Sequence, residues 1–182
     1  MNTKQAEIDA IVADYWDQHN DESYFGETYW LANPIINHRY QIKAAGGRSY
    51  DSWVNFTVQH FLGERAPVDK VLSIGSGDGA LERHLATINT AKNIVGIDLA
   101  PKRIEIAEQA AMENGMQDII SYIVSNVETS PLPGSDYDAI YFNSSLHHMS
   151  DLDAILQSCS NALKKDGYLF INEYIGPNRF DF

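Results

Sequence analysis

Cysteine is nearly absent: Cys159 is the single one in 182 residues, which excludes an intrachain disulfide and any multi-cysteine zinc site. Positive charge is also scarce. Thirteen Lys and Arg stand against 25 Asp and Glu, a net charge of −12 that repels phosphate backbones and anionic lipid. The densest basic pairs, Lys102-Arg103 and Lys164-Lys165, fall at expected helix ends and form no patch, so neither a nucleic acid nor a membrane partner is expected. No apolar run reaches the roughly 18 residues of a membrane span. Residues 1–18 carry one Lys and several acids before their apolar positions, unlike a secretory signal. Metal signatures of the H-E-x-x-H kind are missing, and His19, His60 and His84 lack ligand spacing, so no metal is expected. The nucleophile elbow G-x-S-x-G is missing too. These absences leave a soluble, reduced, cytoplasmic domain as the expectation. The 44% hydrophobic content and 20 aromatics suffice for one globular core, and hardly for two.

The composition changes near residue 66. Residues 1–65 hold 11 of the 20 aromatics and all three tryptophans, which predicts a helical, aromatic-rich N-terminal lid. In it, Ile8, Ile11, Val12, Tyr15 and Trp16 follow one helical face over about 4–19. Asn33-Pro34 opens a turn and then a helix to about Ala44, and Tyr50 to Leu62 reads as another helix that Gly63 ends. Residues 66–182 alternate strands and helices instead. Apolar runs at 70–74, 93–99, 119–125, 137–143 and 167–175 suit strands covered on both faces, hence a parallel sheet. Helices are expected at 79–88, at 101–114 with Pro101 at its first turn, and after a Ser150-x-x-Asp153 capping box. That last helix carries Cys159 on its apolar face and ends at Lys164-Lys165, where cations suit the negative helix terminus. The pattern is that of a Rossmann-like, doubly wound α/β sheet.

The chemistry-bearing signal is the stretch Gly75-Ser76-Gly77-Asp78-Gly79 between the first strand and its helix. Glycines there let the chain turn tightly and let a ligand approach the main chain. Asp98 ends the second strand, 23 residues beyond Gly75, where a carboxylate can accept hydrogen bonds from both ribose hydroxyls. Together they predict a cofactor containing adenosine. Gly75-x-Gly77-x-x-Ala80 also fits a dinucleotide fingerprint, but Asp78 would place negative charge where a pyrophosphate rests on the helix terminus. An acid in the loop suits a cationic ligand without phosphate.

Four motifs in order, VLSIGSGDGALERHLA, VGIDLAPKRIEIAEQAA, YDAIYFNSSLHHM and LKKDGYLFINEYIGPNRF, resemble a class I S-adenosylmethionine-dependent methyltransferase over residues 68–180. The resemblance implies S-adenosylmethionine as cofactor, S-adenosylhomocysteine as product and a small-molecule acceptor. It places Gly75, Ser76 and Gly77 on the methionine part, Asp98 on the ribose, Leu99 on the adenine face and Asn126 and Val127 at the adenine edge. Asn143 to Leu146 would border the methionine moiety and the acceptor. Departures are Ser73, where many members carry an acid, Asn126, where an Asp is common, and a chain that stops after the fifth of the usual seven strands.

Methyl transfer from a sulfonium needs a base only if the acceptor atom carries a proton. His147 and His148 lie just past the fourth strand and are the candidates, a positioning role being the alternative. His38 and Arg39 with Tyr40 are a further candidate set, and Tyr15, Trp16, Tyr24, Tyr29 or Trp30 could turn aromatic faces towards the sulfonium. Without the sixth and seventh strands, the fifth would be an exposed edge, which predicts a C-terminally truncated chain first, with a homodimer paired through that edge or a cover from the N-terminal segment as the other possibilities. A cofactor-binding fragment without catalysis and an NAD-dependent oxidoreductase remain the alternative functions.

Overall fold

Five short apolar runs separated by amphipathic helices can bury both faces of each strand only by stacking side by side between helix layers. The computed structural model, which describes residues 3–18, 33–47 and 52–173, shows that arrangement. The strands β1 (Val68–Ile74), β2 (Ala91–Asp98), β3 (Ile120–Val124), β4 (Tyr137–Asn143) and β5 (Leu163–Asn172) form one sheet of order β3-β2-β1-β4-β5. Every neighbouring pair is parallel. Strand order reverses at β1, so the crevice outside the carboxyl ends of β1 and β4 is where such folds take ligands.

Alternation along the strands sorts the core into two layers. On one face Val71, Ile94, Ala139 and Tyr141 pack with Leu85 of α4 (Ala80–Thr87) and Ala111 of α5 (Pro101–Glu113). Val54, Val58 and Leu62 join the same cluster, so part of the 1–65 segment belongs to the core of the sheet. On the other face Leu72, Ile74, Ile97, Ile140 and Phe142 pack with Ile155, Cys159 and Ala162 of α6 (Leu152–Ala162). Cys159 is buried there as a core residue, and burial pushes its thiol up to about 11.

The remaining helices are α1 (Thr3–Gln18), α2 (Pro34–Ala44) and α3 (Trp53–Phe56). The helix expected from Tyr50 to Leu62 is α3 followed by a wider π-helical turn at Thr57–Leu62, which Gly63 ends at φ +53°. Thr57 bonds Tyr141 through their hydroxyls at 2.9 Å, tying that turn to the sheet. Two expectations at α6 need correction. Its cap is Asp151, whose carboxylate accepts the Ala154 N–H at 2.9 Å, while Ser150 donates its hydroxyl to Glu128 instead. At its other end the chain passes straight into β5, so Lys164 is a strand residue whose ammonium reaches Asp138 at 2.9 Å and Asp69 at 3.3 Å. Tyr24, Tyr29, Trp30 and His19 lie outside the described residues.

Candidate cofactor-binding and active site

The three loop glycines take positive φ, and two of them also yield space. A Cβ on Gly75 would fall 2.3 Å from the Cβ of Ser145, and one on Gly79 would meet the Tyr122 ring and Ala107. The loop is thereby pressed against β3, α5 and the β4 exit, leaving its outer surface to a cavity of about 640 Å³. Asp98 fixes the loop from the side. Its Oδ2 accepts the Gly77 N–H at 2.8 Å and its Oδ1 the Ala100 N–H at 2.9 Å. Each oxygen keeps a lone-pair direction for a further donor.

Gly75, Ser76, Gly77, Asp98, Leu99, Asn126, Val127, Asn143 and His148 all line this cavity. His147 does not. It turns outward, half-exposed, and its Nδ1 meets the Glu173 carboxylate at 2.7 Å. Glu173 also accepts the N–H groups of Ser145 and Leu146, so one buried carboxylate holds the whole turn after β4. Burial, followed by the neighbouring His147, lowers the proton affinity of His148, which stays neutral near pH 7. Asn126 is spoken for on both sides: its amide donates to Asp9 at 2.8 Å, and its carbonyl accepts the Glu128 N–H at 2.8 Å. His38 and Arg39 do not reach the cavity, whereas the Tyr40 hydroxyl bonds Asn172, which in turn donates to Asn143 on the cavity wall.

The roof of the cavity is α1. Ile8, Asp9, Val12 and Trp16 line it, although Ile8 and Val12 stay partly open to solvent, while Ile11 and Tyr15, expected on the same face, are exposed and do not reach the cavity. Trp16 meets His148 edge to face at 4.9 Å, and Asp17 accepts the Lys102 N–H at 3.0 Å, at the positive end of α5. Acids (Asp9, Asp78, Asp98, Glu128) outnumber the one cation, Arg103, along this wall.

A family model described as "Methyltransferase domain" matches residues 72–171, which span β1 to β5 and every loop on this cavity apart from α1. The chain belongs to the methyltransferase-domain family. A ubiquinone biosynthesis O-methyltransferase of Xylella fastidiosa is 32% identical over 180 residues, covering 94% of this chain and 60% of that protein. Its counterpart in Xanthomonas euvesicatoria is 33% identical over 105 residues, covering 57% of this chain and 42% of that one. The methyltransferase domain thus spans about half the length of the curated relatives it matches. The fold is shared with geranyl diphosphate C-methyltransferase from Streptomyces coelicolor, at a TM-score of 0.62 and 19% identity over 89% of this chain and 63% of that one.

Sequence reasoning missed Glu173 and Glu82 in this methyltransferase domain, and reached Ser145 only as part of the stretch from Asn143 to Leu146. Ser145 donates its hydroxyl to the Ile74 carbonyl at 2.6 Å and so joins the β4 exit to the β1 exit. Its sequence signal was its place in the stretch from Asn143 to Leu146, which names no single role for it. Glu173 gave none, because its partners lie 26 to 28 residues earlier across a parallel crossover.

Proposed function

We propose that this domain binds S-adenosylmethionine in the cavity and transfers its methyl group to the oxygen of a small-molecule hydroxyl acceptor. The observation that carries the reading is Asp98, hydrogen-bonded to the glycine loop and to the β2 exit yet still facing the cavity with acceptor capacity. The residues fit this cofactor. Bare main chain at 75–79 admits the thioether portion, Asp98 accepts from the ribose, and Leu99 and Val127 flank the base. A wall with four acids and one cation suits a sulfonium and opposes a diphosphate, which favours this reading over a nicotinamide dinucleotide.

The cofactor supplies a methyl group already activated for displacement, so the protein's part is alignment and exclusion of water. The α1 roof excludes solvent, with Trp16 presenting an aromatic ring to the cavity. His148, neutral and on the wall, takes the acceptor's hydroxyl proton, while the His147–Glu173 pair holds the turn that aims it. The relatives named as O-methyltransferases support oxygen as the acceptor atom. We also propose that β5, the edge strand, pairs with β5 of a second copy.

Calorimetry with S-adenosylhomocysteine tests the cofactor assignment, with a dissociation constant in the micromolar range expected. The variant His148→Asn should keep that affinity within about threefold, and should lower kcat towards a hydroxyl acceptor by about 10²–10⁴. No heat with S-adenosylhomocysteine, together with thermal stabilisation by NAD, overturns the assignment.

A further inference from the structure

Under the glycine loop lies a carboxylate that the ordinary accounting of buried polar groups leaves open. Glu82, in the first turn of α4, is 0% exposed, and among the described residues its carboxylate has no full hydrogen bond, the Ser73 hydroxyl and its own N–H being the donors that lie near it. The hydroxyl of Ser76, in the loop above, is buried and unpartnered as well. Native interiors seldom tolerate one such group, and a charged one calls for more donors, or a cation, than Ser73 and the main chain supply. Burial, with a smaller push from Asp78, raises the Glu82 carboxyl to about 7 even though Ser73, its own N–H and Arg83 pull the other way. Arg83 does not pair with it, because its guanidinium is turned to the Asp78 carbonyl at 2.6 Å. Tyr122, from β3, is the other titratable group facing Glu82, and burial raises its phenol well above the working pH range.

Ser73 connects this carboxylate to the cavity. It stands on the face of β1 that packs against α4, beside Glu82, and it also lines the cavity wall. A hydroxyl carries one donor and two acceptor directions, so Ser73 can donate inward to Glu82 while accepting from a ligand outward. The ligand proposed above carries one protonated amine, on its amino-acid portion. We propose that Glu82, acting through Ser73, forms the anionic floor of the subsite that holds this ammonium group. The inference rests on the cofactor reading and goes beyond it, since Glu82 itself lies behind the wall. Glu82 is a positioning residue: it makes Ser73 a better acceptor and supplies the countercharge that no cavity-lining side chain on β1 supplies. Because the bound cation favours the ionised carboxylate, ligand binding near neutral pH should release a proton.

Two ligands separate the possibilities: S-adenosylhomocysteine, and its deaminated analogue S-adenosyl-4-thiobutyrate, which lacks only the amine. Glu82→Gln should weaken the first by about 10- to 100-fold and change the second by less than about twofold. The wild-type preference for the aminated ligand should grow as pH rises through about 7, and that growth should vanish in Glu82→Gln. Adding Ser73→Asp to Glu82→Gln returns a carboxylate to the floor and should restore the preference. Equal loss for both ligands, or no loss for either, overturns the proposal and makes Glu82 a structural acid. A wild-type chain that binds neither ligand overturns the cofactor reading itself, a result distinct from either of those.

Discussion

A carboxyl group that gives up its water without gaining a partner holds its proton harder than it does in the unfolded chain. For Glu82 the unfolded value is near 4.5 and the folded one about 7. The folded state therefore binds the proton more tightly, and this group's contribution to stability is full below about pH 4.5 and lost as pH rises through 7. The span corresponds to roughly 3 kcal/mol. Glu82→Gln should thus match the wild type near pH 4.5 to 5 and exceed its melting temperature by about 5–10 °C at pH 8 in the absence of ligand, as read by scanning calorimetry. A difference between the two proteins that is flat in pH would remove the raised carboxyl from the account. Glu82 was not legible in the sequence, because a Glu in a first helical turn ordinarily faces water and favours the helix terminus. The structure turns this one inward, 0% exposed, beneath a loop crowded against β3, where Gly79 leaves no room for a Cβ beside Tyr122. The places of Gly75 and Asp98 on the cavity wall were legible for the opposite reason: they follow from local geometry at a strand end, which sequence spacing preserves.

Elements whose burial is two-sided announce themselves. All five strands were readable from apolar runs, and β4, with six of seven residues buried, was readable to the residue. The ends of β5 and the cap of α6 were not, since adjacent Ser150 and Asp151 are equally good caps and only the position of Glu128 decides which is free. The π-helical turn at Thr57–Leu62 has no periodic signature of its own. The lid is the instructive case. One apolar face was expected on α1, but Ile8, Ile11, Val12 and Tyr15 of it are exposed, Ile11 at 69%, and only Trp16 is half-buried. The helix is instead pinned by polar contacts at Asp9 and Asp17 and by the Trp16–His148 ring pair. An element so attached contributes little to global stability and much to what it covers. Trp16→Ala should therefore shift the melting temperature of the free protein by less than about 2 °C and weaken S-adenosylhomocysteine about tenfold. Unchanged affinity in that variant would show that α1 does not close over the ligand.

At the scale of the whole molecule, the sheet has one well-covered interior and two edges of different character. β3 is five residues long, while β5 runs for ten and, among the described residues, is paired with β4 alone. Long unpaired edges are templates for another strand, and natural sheets blunt them with charge, proline or a cover. The first half of β5 carries such charge in Lys164, Lys165 and Asp166, and Arg65 reaches the Asp166 carbonyl. The second half, Tyr168 to Ile171, has none, and Ile171 is 45% exposed. Phe61 and Arg65 cover one face of this stretch at Tyr168 and Phe170, and among the described residues no strand pairs with its outer edge, beside the carboxyl end where Asn143 and Asn172 meet. Pairing of two copies there is antiparallel by symmetry, since a two-fold axis brings the same strand against itself in reverse. Sedimentation velocity at about 50 μM should give a dimer for the 182-residue chain. Ile171→Lys, which puts a charge on each side of the axis within a few residues of its copy, should shift it to monomer without lowering the affinity for S-adenosylhomocysteine. A wild-type chain that sediments as a monomer at that concentration, or a variant that stays dimeric, would remove β5 as the contact.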